Sequence, residues 1–159
     1  EFGRDYSVQT VGITNLRKSG SAAYARWHDV LMAYNQGELP AYGAIWLTYY
    51  PHIMIEWYPH VLTVSTLHPL SPERTMNVVE FFYPEEIVAF EREFVEAQRE
   101  AYMETAVEDD EIAERMDAGR RALMQRGDNE VGPYQSPMED GMQHFHEWYR
   151  RTLDLSDHA

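Results

Sequence analysis

The first half of the chain is patterned in twos and the second half in threes and fours. Residues 6–13 alternate loosely between apolar and polar positions and predict a strand. Residues 14–22 are small and polar, a loop, and residues 23–34 can be read as a short amphipathic helix or as an irregular segment. Gln36-Gly37-Glu38-Leu39-Pro40 predicts a turn. Residues 43–50, 52–57 and 60–67 are rich in β-branched and aromatic types, and Pro51 and Pro59 divide them into three strands. The run from His68 to Arg74 carries two prolines and predicts another turn, with residues 75–83 returning as the second arm of a hairpin. Consecutive strands joined by short turns imply an antiparallel meander.

At Pro84, which suits a first helical turn, the period changes. Ile87, Phe90, Phe94, Ala97 and Ala101 share one helical face, and Glu91, Arg92, Glu96, Arg99 and Glu100 lie opposite. A second helix is expected over about 107–126, with Ile112, Met116, Ala122 and Leu123 as its apolar positions and Arg126-Gly127-Asp128-Asn129 as its stop. Residues 127–137 read as loop. Met142, Phe145, Trp148, Tyr149 and Leu153 then mark a final amphipathic helix. Glu139 and Asp140 stand at its start and Arg150 and Arg151 near its end, as the helix dipole favours. Strands followed by helices predict an α+β domain.

Composition limits the function classes. The 159 residues suffice for one domain with a core, and 44% apolar content marks a globular chain. A net charge of −14 argues against nucleic acid and anionic membrane surfaces as partners, since both select basic patches. With no cysteine, the chain has no disulfide, thiolate zinc site, cysteine nucleophile or complete iron–sulfur ligand set. It has no apolar run near 18 residues and no signal peptide, so the cytoplasm is the expected compartment. Glu1 is not a start methionine, and the first residues read as a strand in mid-flow. We therefore expect the C-terminal piece of a longer protein.

Most motif searches return nothing. There is no H-E-x-x-H, no Gly-rich phosphate loop, and no nucleophile elbow around Ser65 or Ser71. His52, His60 and His68 recur every eight residues, but prolines break the strands between them, so they are not expected to share a face. His144 and His146 are two apart on a helix and point to different faces. The adjacent carboxylates of Glu108-Asp109-Asp110-Glu111 either form a solvated face or offer a hard metal ligand on a helix.

The order of motifs carries more than any one of them. Tyr50-Pro51 lies between strands, and Leu70-Ser71-Pro72-Glu73-Arg74-Thr75 forms a turn. Glu108-Asp109-x4-Glu114-x4-Gly119 follows on a helix. Gly132-Pro133-Tyr134-x2-Pro137-x-Glu139-x-Gly141-x3-Phe145-x2-Trp148 closes the series. From about residue 40 this series resembles the C-terminal catalytic domain of the α subunit of Rieske-type non-heme iron oxygenases. The resemblance implies a helix-grip fold, an antiparallel sheet curled around a long helix, incomplete at its N-terminus. Residues 1–159 would be the C-terminal part of that domain. The implied cofactors are a mononuclear non-heme Fe(II), held by two histidines and one carboxylate, and a Rieske [2Fe-2S] cluster.

The resemblance maps the carboxylate onto Asp109, with Asp110 as the alternative register. The family's D-x2-H-x4-H segment and its Rieske domain have no counterpart in this chain, and His28 does not fit. Where the family usually has asparagine after the proline, this chain has His52. The family's sheet faces the substrate. By alternation Ala44, Trp46 and Thr48 point one way, so Trp46 is the first candidate for a pocket wall and Glu56 on the next strand the second. Thr105, one turn before Asp109, is the third. An aromatic ring with a carboxylate suits a cationic substrate such as a betaine, although the family also takes neutral aromatics.

The implied activity is O2-dependent hydroxylation, dihydroxylation or oxidative demethylation of a small aromatic or quaternary-amine substrate. A ferredoxin or reductase would donate electrons and the assembly would be a homotrimer. The alternative is a metal-free helix-grip protein that binds small ligands.

Overall fold

A computed structural model describes residues 1–12, 20–128 and 132–154. It is an α+β chain with an antiparallel sheet and a long helix, as expected. The element order is β1 (Tyr6–Val11), α1 (Ala22–Tyr34), β2 (Ala44–Tyr49), β3 (Ile53–Tyr58), β4 (Val61–Ser71), β5 (Arg74–Phe82), α2 (Glu85–Phe90), α3 (Arg92–Gln125) and α4 (Asp140–Thr152). Residues 13–19 and 129–131, within the expected first strand and two loops, lie outside the described residues. The chain divides into two compact units. One contains the described residues of Glu1–Thr14, Pro40–Pro84 and Tyr134–Ala159, and the other those of Asn15–Leu39 and Glu85–Pro133.

The first unit is a five-stranded meander in the order β1-β2-β3-β4-β5, capped at one side by α4. Every neighbouring pair is antiparallel. The β3–β4 turn is Pro59-His60, and His60 takes a positive φ of 63° at the position after proline. Along β4, Val61, Thr63 and Ser65 are buried and the residues between them are half-buried, so one face of the sheet is the covered one. The turn expected from His68 to Arg74 is shorter than predicted. β4 runs through Pro69 to Ser71, with a register shift between Pro69 and Ser71, and only Pro72 and Glu73 turn. Beyond Leu67, β4 pairs with β5 alone, so a missing proline N–H need not interrupt a ladder on the other side.

α4 docks on β1 through rings. Tyr50, just past β2, packs on Phe145 at 5.2 Å, Trp148 at 5.4 Å and His144 at 5.9 Å between ring centroids. Trp148 Nε1 donates to Asp5 Oδ1 at 3.0 Å, and His144 Nε2 donates to the Gly3 carbonyl at 2.7 Å. A Cβ on Gly3 would lie 2.1 Å from the Tyr6 ring, so only glycine permits this approach.

The second unit is helical. The segment at 23–34, left open between helix and irregular chain, is a helix, with the Ser21 side chain accepting from the Tyr24 N–H at 3.3 Å as its N-cap. α1 runs antiparallel to the start of α3: Tyr34 meets Phe94 at 5.5 Å at one end, and the Tyr24 hydroxyl bonds Thr105 Oγ1 at the other. Arg26 lies between, donating to Glu100 Oε2 at 2.6 Å, with Glu96 and Glu93 at 3.7 and 3.9 Å.

Two details differ from the periodicity. The helix breaks at Glu91 (φ −117°, ψ 55°), so Phe90, expected on the core face, is 83% exposed, while Ile87, Phe94, Ala97 and Ala101 are buried. The break expected between 101 and 107 does not occur. No glycine or proline interrupts residues 92–118, and α3 runs for 34 residues, roughly 50 Å. Its C-terminus is the predicted stop, where Gly127 at φ 73° and Asp128 donate to the carbonyls of Met124 and Leu123.

Candidate functional site

β1 and β2 place four polar or aromatic side chains on one face. Gln9 pairs with Trp46 and Ser7 with Thr48, and alternation sends all four to the same side. The chain entering α4 passes close to this strip. A Cβ on Gly141 would come within 3.5 Å of Ser7 Oγ, so the first turn of α4 approaches β1 closely. The result is an open cleft of about 580 Å³. Its walls include Ser7, Trp46, Thr48, Asp140 and Phe145, all within the sheet unit.

Trp46 is among the residues that line this cleft. Its cross-strand partner is Glu56. The indole Nε1 donates to the Tyr58 hydroxyl at 3.2 Å, and that hydroxyl donates to Glu56 Oε2 at 2.6 Å. Burial pushes the Glu56 carboxyl above the ordinary carboxylate value, and the hydrogen bond from Tyr58 partly offsets this. Glu56 is not itself on the cleft wall; it reaches the indole through Tyr58.

Asp109 and Thr105 lie on α3, one turn apart, in the helical unit. Asp109 and Asp110 are exposed, as are all residues from Val107 to Ala122. Thr105 is half-buried and bonded to the Tyr24 hydroxyl. Trp46 and Glu56 are thus joined in one hydrogen-bonded chain, and Thr105 and Asp109 share one helical face. Among the described residues no three histidine, aspartate or glutamate side chains converge as a metal would need. A facial triad takes two histidines and a carboxylate, and a Rieske cluster takes two cysteines and two histidines. The described residues do not by themselves fit either group. His144 and His146 point apart as predicted, the first to the Gly3 carbonyl and the second to the Tyr134 hydroxyl at 2.6 Å.

The residue that sequence reasoning missed is Asp140. Pattern alone assigned it to the helix dipole; its place on the cleft wall depends on where α4 lands against β1. The short segment Glu139-Asp140-Gly141, whose glycine allows close approach, was the available signal.

An antiparallel five-stranded sheet with helices is consistent with the family that the comparisons find. Residues 3–155 match the family described as ring hydroxylating alpha subunit (catalytic domain), and the chain belongs to it. Two relatives are similar over nearly all of it. The putrescine 2-hydroxylase of Ralstonia nicotianae is 73% identical over 155 residues, which are 97% of this chain and 42% of that protein. The putrescine 2-hydroxylase of Bordetella bronchiseptica is 70% identical over 154 residues, 96% of this chain and 36% of that protein. The chain thus spans well under half the length of these relatives. No solved structure matches it. The family implies non-heme iron and a Rieske cluster in the full protein. The metal-free ligand-carrier alternative has no support in these comparisons. No helix among the described residues is long and apolar enough to cross a membrane.

Proposed function

We propose that residues 1–159 are the C-terminal part of the catalytic domain of an oxygenase that hydroxylates a small aliphatic diamine. The observation that carries this is the identity of 73% and 70%, over nearly the whole chain, to two relatives named putrescine 2-hydroxylase. The family's iron would supply O2 activation, and a Rieske cluster would pass it electrons from a ferredoxin or reductase in the cytoplasm. In a homotrimer the cluster of one subunit would serve the iron of the next.

Within this chain each candidate residue has a distinct task. Asp109 would be the carboxylate that holds the iron, together with two histidines. Thr105, one turn away on α3, is a polar neighbour on the same helical face. Trp46 offers its ring face to a cation in the cleft. Glu56 holds the indole in place through Tyr58.

The test is product analysis. The full-length protein, supplied with an electron donor, O2 and 1,4-diaminobutane, should yield the diamine plus one oxygen atom, carrying the label when 18O2 is used. Consumption of O2 with no oxygenated amine would overturn the reading.

A further inference from the structure

Hydroxylation at one carbon of a flexible diamine requires that at least one end be held. Resting on the amine-hydroxylase reading above, we propose that the cleft between β1–β2 and the first turn of α4 seats one ammonium of the substrate, with Asp140 as its counter-charge and the Trp46 and Phe145 rings as its walls.

Two features of the cleft carry this. Its volume, about 580 Å³, falls within the range of small-molecule sites. Its lining combines aromatic rings with carboxylates and includes no lysine or arginine. Ring faces and carboxylates together are the surroundings that stabilise an alkylammonium, through the ring quadrupole and charge-assisted hydrogen bonds. The positive end of α4 amounts to roughly half a charge, less than the full charge of the carboxylate in its first turn.

Within the lining Asp140 is the better counter-charge. Glu139 Oε2 already accepts from the Gln135 N–H at 2.6 Å, closing the turn before the helix. Asp140 is the first residue of α4, half-buried, and on the same wall as Phe145. Glu56, the acid first considered for this role, is the cross-strand neighbour of Trp46 and is bonded to the Tyr58 hydroxyl that holds the indole. Ser7 and Thr48 supply hydroxyl oxygens on the facing wall, the further acceptors an ammonium needs.

The experiment is titration calorimetry of the full-length holoprotein with 1,4-diaminobutane and with neutral butane-1,4-diol. Asp140→Asn should weaken diamine binding by about tenfold or more, the scale of one charged hydrogen bond, and leave the diol unaffected. Asp140→Glu should recover most of the loss. Diamine should also perturb the Trp46 fluorescence, a signal absent from Trp46→Phe, and this arm does not depend on the Asp140 variants folding. Equal diamine affinity in wild type and Asp140→Asn, or no change in Trp46 emission on saturation, overturns the proposal. Asp140-dependent binding without hydroxylated product would instead overturn the activity and leave the seat standing.

Discussion

Trp46 stands directly opposite Glu56 in the β2–β3 ladder, and the Tyr58 hydroxyl joins them, accepting from the indole at 3.2 Å and donating to the carboxylate at 2.6 Å. The link fixes the plane of the ring that faces the cleft. Tyr58→Phe removes it without emptying space. We expect the indole to gain rotational freedom, seen as a red-shifted and less polarised Trp46 emission. In the full-length enzyme KM for the amine should rise more than kcat falls. Unchanged emission and kinetics would show the link to be incidental.

Glu56 also makes a pH prediction. Its carboxyl holds its proton more tightly in the folded chain than in the unfolded one, because burial disfavours the charged form. The folded state then binds more protons between the unfolded and folded pKa values, so stability falls as pH rises through that window. Glu56→Gln removes this cost and keeps an acceptor for Tyr58. The variant should melt slightly higher than wild type at neutral pH, by at most a few degrees given the partial exposure of the site, and lose that advantage below the ordinary carboxylate range. A lower melting temperature at neutral pH would contradict the assignment.

The Arg26 cluster has the opposite sign. Glu96 is held below the usual carboxylate value, chiefly by the hydrogen bond from Arg92 at 2.7 Å and secondarily by Arg26. Its contribution is present above the unfolded pKa and is lost as pH falls through the folded one. Arg26→Ala leaves Glu93, Glu96 and Glu100, all on α3, without their common cation. It should lower the melting temperature more at low salt than at high salt, since exposed pairs are screened.

Asp109 is exposed on a helical stretch with no buried residue between Val107 and Ala122. Asp109→Ala should change the stability of the chain by no more than about 0.5 kcal/mol, as for other surface positions. In the full-length protein it should abolish iron retention, measured by metal analysis, while Asp110→Ala retains it. Iron near one per subunit in Asp109→Ala would refute the ligand assignment.

Two core positions separate packing from polarity. Phe94 is 1% exposed and packs on Tyr34, so Phe94→Ala should cost about 3–5 kcal/mol in urea unfolding. Tyr50 is 4% exposed, and its hydroxyl is buried with no hydrogen-bond partner among the described residues. Tyr50→Phe keeps its ring contacts and removes a desolvated hydroxyl. Stability should hold or rise by up to about 1 kcal/mol, and a clear loss would reveal a partner for that oxygen.

Element types and their order were legible from periodicity because burial on one face imposes it: two in the meander, three to four in the helices. That pattern also placed Trp46 and Thr48 on one side of β2, and the series of motifs around Asp109 and Gly132–Trp148 pointed to the oxygenase family. Local pattern could not say that Pro69 lies inside a strand, since the open side of β4 exists only once the sheet is paired. Nor could it say that a break at Glu91 turns Phe90 outward. The cleft depended wholly on tertiary structure. Asp140 and Trp46 are 94 positions apart in the chain. Only the docking of α4 rings on Tyr50, a contact between distant segments with no local signature, brings the carboxylate and the indole to one cavity.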